Sequence, residues 1–269
     1  KITDRSLVEI GGKGLFIKEI EEALLTNKID IAVHSMKDMP ANSPAGLAIG
    51  AILQRADPRD VFVSENFSSI EQLPSGSIVG TSSLRRQAQV LTMRSDLTVR
   101  SLRGNVETRL QKMLNGEYAA IILAAAGLER LGLTKWLTRP LSIEVMLPAV
   151  GQGALGVEYR AGDTEIEKLI APLNDPTTNI CLQAERAMNA KLDGGCQAPI
   201  AGFAQIKNNT IQLQGLVAAA DGKIIYRAQQ EAPLEAAFWL GEQVAMQLAA
   251  QGATQIITDL KHAAQNYEE

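Results

Sequence analysis

The sequence predicts an α/β protein that ends in a separate α+β domain. Three observations predict it. Strands and helices alternate across residues 77–124; residues 147–158 are rich in glycine, as at a hinge; and beyond residue 199 the pattern turns to strands joined by tight turns and followed by a long helix. At 269 residues the chain exceeds one ordinary core and fits two or three domains. With 46% hydrophobic and 21% charged residues, a sizeable apolar interior can form.

Over residues 14–25, Leu15, Phe16, Ile20, Ala23 and Leu24 recur at helical spacing, with Lys18 and Glu22 as an i, i+4 pair, which predicts an amphipathic helix. Residues 30–35 (DIAVHS) read as a strand. Met36-Lys37-Asp38-Met39-Pro40 leaves its C-terminal end, the place where open α/β sheets put their ligands. Residues 57–74 are polar and turn-rich, and Asp57-Pro58-Arg59-Asp60 within them reads as a crossing between lobes.

Residues 77–80 read as a strand ending in Thr81-Ser82-Ser83, which can cap a helix over 84–93. A second strand spans 97–102, and Asn105 can cap a helix to Leu114, closed by Asn115-Gly116. The nearly all-apolar stretch 118–124 reads as a buried parallel strand. The glycine-rich segment 147–158 (LPAVGQGALGVE) then leads back to the first lobe. Asp175-Pro176 opens a helix that reaches Leu192 and is stopped by Gly194-Gly195. Residues 200–206, 211–219 and 223–229 form three antiparallel strands joined at Asn208-Asn209 and Asp221-Gly222, with a helix over 234–250 covering one face.

Composition narrows the chemistry. A net charge of −4 and 4% aromatics argue against a nucleic-acid binder with a broad basic face. The longest uncharged apolar run, residues 118–128, falls short of the roughly 20 residues that cross a bilayer. Two cysteines and two histidines, His34 and His262, make neither a disulfide framework nor a Cys/His zinc cluster, and they predict a reducing, cytoplasmic setting. Gly11-Gly12-Lys13-Gly14 lacks the earlier glycine and the following Ser/Thr of a phosphate loop.

Three constellations remain. Between Thr81 and Arg109, the six arginines Arg85, Arg86, Arg94, Arg100, Arg103 and Arg109 face only Asp96 and Glu107, so this stretch is strongly basic inside an acidic protein. Arg85 and Arg86 fall in the first turn of a helix, against the macrodipole, which points to an anionic ligand. Asp38, flanked by methionines at a strand end, can be partly desolvated and so suited to proton transfer. Cys196 sits in Gly194-Gly195-Cys196-Gln197-Ala198-Pro199, a thiol on a loop stripped of bulk, whereas Cys181 shares a helical face with Ala184 and Met188 and reads as inert core. Each has a plainer reading: a solvated basic face, a turn-forming aspartate, a loop thiol without a role. His34 reads as a satisfied core histidine.

Six segments, GGKGLFIKEIE, DIAVHSMKDMP, VGTSSLRRQAQ, RSLRGNVETRL, LPAVGQGALG and GGCQAPI, occur in this order. Together they resemble the hydroxymethylbilane synthase (porphobilinogen deaminase) family over residues 11–199. The resemblance implies two lobes like those of type II periplasmic binding proteins around a cleft, plus a C-terminal α+β domain with a three-stranded antiparallel sheet. Residues 1–53 with 154–171 would form the first lobe, 54–153 the arginine-rich second, and 175–269 the domain carrying the cofactor cysteine.

It further implies a dipyrromethane cofactor held by a thioether to Cys196, Asp38 as the catalytic acid, and Lys37, Asp38, Thr81, Ser83, Arg85 and Arg86 on the cofactor. Arg103, Arg109, Arg130 and Gln152 would serve the substrate, porphobilinogen, whose acetate and propionate arms match the arginines. Four porphobilinogen units would join head to tail with loss of ammonia before hydroxymethylbilane is released. The resemblance carries the expectation of a monomer with no nucleic-acid or membrane partner. The chain opens on Lys1, and the family begins with a further strand and helix, which predicts a segment ahead of this one. Two other readings stay open: a two-lobed small-anion-binding module without catalysis, and an arginine-driven nucleic-acid binder.

Overall fold

The computed structural model describes residues 12–40, 42–194 and 198–265, with side chains from residue 17 to 263. One sheet belongs to the first lobe. Helix α1 (Gly12–Leu25) leads to β1 (Ile31–Ser35) and β2 (Leu47–Ile52), and the chain returns much later as β7 (Leu155–Arg160) and α5 (Thr164–Ile170). β7 lies between β1 and β2 and runs antiparallel to both, so the late segment completes the early lobe. Along β1 the side chains alternate: Ala32 and His34 are buried, Ile31 and Val33 exposed. His34 Nε2 meets Glu158 Oε2 at 2.9 Å, both buried, which fits a core histidine.

The second lobe holds a four-stranded sheet in the order β3-β6-β4-β5, built from β3 (Asp60–Val63), β4 (Ile78–Gly80), β5 (Thr98–Arg100) and β6 (Ala120–Ala124). β4 runs parallel to β5 and β6, with α2 (Leu84–Met93) and α3 (Val106–Leu114) as the crossovers and α4 (Ala125–Arg130) directly after β6. The caps lie where the sequence places them. Ser83 Oγ accepts from the Arg86 N–H at 3.4 Å, and Asn105 Oδ1 accepts from the Thr108 N–H at 2.8 Å.

β3 is a correction. It falls within residues 57–74, read from sequence as turn-rich connection, yet all four of its residues are buried and it pairs antiparallel with β6. Its apolar run is only Val61-Phe62-Val63 between charged and turn-forming neighbours, too short to carry a period. β2 likewise escaped the sequence reading.

The last part is built from α6 (Pro176–Lys191), capped by Asp175 Oδ1 accepting from the Thr178 N–H at 2.7 Å, and the antiparallel sheet β8 (Ile200–Lys207), β9 (Thr210–Ala218) and β10 (Ile225–Pro233). The β8–β9 turn has φ of 48° at Asn208 and 60° at Asn209, the two left-handed residues that a two-residue hairpin needs. Helix α7 (Ala237–Gln251) covers one face together with α6, enclosing Cys181, Ala184 and Met188, and a further helix, α8 (Ala253–Gln265), follows. The opposite face, Ala201, Phe203, Leu216 and Ala218, packs on Ala88 of α2 and on Leu147. The arginine-bearing helix is therefore wedged between the second lobe and the last sheet.

Candidate active site

Two segments carry the chain between the lobe sheets, residues 53–59 and 147–154, and they bind each other. Arg55 Nε donates to the Gln152 carbonyl at 2.9 Å and the Ala56 N–H to the Gly153 carbonyl at 3.2 Å. Gly151 and Gly153 take φ of +72° and +90°; a Cβ would come 3.0 Å from the Met36 carbonyl carbon at the first and 2.6 Å from the Ala56 oxygen at the second. Only glycine allows this crossing. The loop that starts at Met36 therefore leans on the hinge itself, and Met36 N–H donates to the Ala154 carbonyl at 3.1 Å. Lys37 and Asp38 follow, half-buried, with the Asp38 N–H closing a turn onto Ser35 at 2.9 Å.

Across the cleft, the C-terminal ends of the parallel strands β4, β5 and β6 share an edge with the start of β3. Arg85 and Arg86 are buried there, at 3% and 6% exposure. The sequence alone assigns them no internal counter-charge, but the fold supplies one in Asp60, which is completely buried. Arg86 donates through Nε and Nη2 to Asp60 Oδ1 at 3.0 and 2.7 Å, and through Nη1 to the Ile122 carbonyl at 2.9 Å. Arg85 Nη1 donates to the Leu147 carbonyl at 2.7 Å and sits 2.7 Å from Asp60 Oδ2 as an ion pair that is not aligned as a hydrogen bond. Gln152, buried at the hinge, donates through Nε2 to the Pro58 carbonyl at 2.7 Å and to Asp60 Oδ1 at 3.0 Å.

The other sequence-predicted residues have contacts of their own. Thr81 is buried, its Oγ1 accepting from the Ser83 N–H at 3.1 Å. Arg103 and Arg109 are half-buried, Arg109 Nε donating to the Gly104 carbonyl at 2.8 Å. Burial lowers the Arg109 pKa, with Arg86 lowering it further and Asp38 of the other lobe opposing both, so all three groups are within electrostatic reach. Arg130 donates through Nη2 to the Gly153 carbonyl at 3.0 Å. Cys196 lies outside the described residues. The helix that precedes it does not: Arg186 on α6 donates through Nη2 to the Pro40 carbonyl at 2.9 Å, tying that helix to the end of the Asp38 loop.

A model of the porphobilinogen deaminase dipyromethane cofactor binding domain matches residues 1–168, and one of the porphobilinogen deaminase C-terminal domain matches residues 179–250. The chain belongs to the porphobilinogen deaminase family. With that membership come a transferase activity, hydroxymethylbilane synthase, in tetrapyrrole biosynthesis, and a dipyrromethane cofactor. Among solved structures, a lipoprotein of the YaeC family from Enterococcus faecalis is similar at 19% identity and a TM-score of 0.38 over 57% of this chain and 74% of its own. The periplasmic VFT2 domain of BvgS from Bordetella pertussis is similar at 12% identity and a TM-score of 0.36 over 58% of this chain and 65% of its own. No helix among the described residues of the chain is long and apolar enough to cross a membrane.

The residues present fit a carboxylate-bearing oligopyrrole. Arg85 Nε is buried without a hydrogen-bond partner, an orphan donor beside a cluster of guanidinium groups. Sequence reasoning missed Asp60, Arg55 and Glu185, which organise this region. The only trace of Asp60 was an acid directly ahead of a short apolar run.

Proposed function

We propose that Asp38 holds and moves the proton in each cycle, that Arg85, Arg86, Ser83, Thr81 and Lys37 seat the dipyrromethane, and that Arg103, Arg109, Arg130 and Gln152 serve porphobilinogen and the growing chain. The observation that carries this reading is the hinge segment: Gly151 packs against Met36 and Lys37 at the start of the Asp38 loop, while the next residue, Gln152, donates to Asp60, on which Arg85 and Arg86 converge. The cofactor, when bound, supplies the free pyrrole end onto which porphobilinogen units are added. Asp38, on a loop braced by the hinge, is placed to give a proton to the departing amino group and to stabilise the positive charge that remains. The arginines offer parallel hydrogen bonds to acetate and propionate arms, and their burial strengthens those bonds by excluding water.

Cys196 is the proposed attachment point through a thioether. The contact of Arg186 with Pro40 supports it, because it docks the helix leading to that loop against the loop of Asp38. The chain is proposed to work as a cytoplasmic monomer, with residues 1–53 and 154–171, 54–153 and 175–269 as its three domains. Intact-mass measurement of the purified protein tests the attachment: a dipyrromethane-sized adduct is expected, and an active protein of unmodified mass overturns the reading.

A further inference from the structure

We infer that Asp60 is a positioning residue for the anion site: its single carboxylate holds Arg85 and Arg86 side by side so that both can meet a carboxylate arm of the bound pyrrole chain. This rests on the proposed seating of the cofactor at those two arginines.

Asp60 opens β3 opposite Ala124 at the end of β6, which sets its side chain at the cleft edge of the sheet. Oδ1 accepts from Arg86 twice and from Gln152, and Oδ2 faces Arg85. Two buried guanidinium groups repel each other and have lost their hydration, so an anion between them is what keeps the pair in place. Burial pushes the Asp60 carboxyl up, but Arg85 and Arg86 together reverse this and hold it far below the ordinary carboxylate range.

The charge count separates this cluster from a structural ion pair. Arg55 and Glu185, at the hinge, are matched one to one, and both Glu185 oxygens are also held by backbone N–H groups. At Asp60, among the described residues, two guanidinium groups share one carboxylate, which leaves one positive charge in excess. The same cluster keeps the unsatisfied donor Arg85 Nε. One incoming carboxylate answers both.

The test uses the full chain made in cells that produce no porphobilinogen, then supplied with porphobilinogen while adduct gain is followed by intact mass. Asp60→Asn keeps the shape and removes the charge. It is expected to load at least about tenfold more slowly than wild type, and the double variant with Arg85→Gln to stay within about twofold of Arg85→Gln alone, because residues that act through one another are not additive. Loading at the wild-type rate in folded Asp60→Asn, or effects that multiply in the double variant, overturns the inference. If Asp60→Asn melts below the assay temperature, Gln152→Leu, which removes the third donor to the same carboxylate along with a bond to the Pro58 carbonyl, is expected to slow loading about threefold and to add nothing to Arg85→Gln; an unchanged rate, or effects that multiply with Arg85→Gln, also overturns it. No adduct on the wild type sinks the seating and this inference with it, whereas normal loading of Asp60→Asn sinks this inference alone.

Discussion

Arg55 and Glu185 face each other across the junction of the hinge and the last domain, with Nη1 to Oε1 at 2.5 Å and Nη2 to Oε2 at 3.2 Å. Glu185 is completely buried on α6, and its oxygens also accept from the Gly151 and Ala204 N–H groups at 2.8 Å each. The Arg55 guanidinium lies 5.0 Å from the centre of the Phe203 ring. One carboxylate therefore joins both hinge segments to α6 and the last sheet.

Glu185→Ala removes that anion and leaves a largely buried guanidinium and two N–H groups without it. The expected loss of unfolding free energy is roughly 3–5 kcal/mol, as for a broken buried pair. Denaturant unfolding measures it, and a loss under about 1 kcal/mol would mean that the junction is held by apolar contacts instead.

Asp38→Asn keeps the loop on its hinge support but removes the proposed proton carrier. The adduct should still form, and turnover should fall about 10²–10⁴-fold, the usual span for a general acid. Normal turnover in a fully loaded variant would take Asp38 out of the chemistry.

Cys196→Ser should abolish the adduct in intact mass, while Cys181→Ser should leave it. Burial, with Glu185 adding to it, pushes the Cys181 thiol up to about 11, so the folded protein keeps that proton when an unfolded chain has already lost its own. Iodoacetamide at about pH 9 should therefore label Cys181 only after unfolding. Rapid labelling in the folded state would contradict its place in the core.

Gly153→Ala tests the hinge crossing. The added Cβ meets the Ala56 oxygen at 2.6 Å with φ at +90°, so both space and backbone oppose it. A destabilisation of about 1–3 kcal/mol from the strained backbone is expected, more where the clash is not relieved. A melting temperature equal to wild type would mean that the two hinge segments can part freely.

The amino-acid sequence by itself determined the local structure and the chemical inventory. Ser83, Asn105 and Asp175 cap helices because each is a short polar residue immediately ahead of a helical period, and Asn208-Asn209 turns a hairpin because those residues tolerate positive φ. The ordered motifs around Asp38, Arg85, Arg86 and Cys196 were enough to indicate the family. Tertiary structure alone decided what those groups face. Asp60 meets Arg85 and Arg86 across 25 and 26 positions of chain, and Arg55 meets Glu185 across 130, because a strand and two hinge segments bring them together. Such pairings leave no local period, since burying a charge beside its partner depends on where the backbone goes and not on the neighbours it has in sequence.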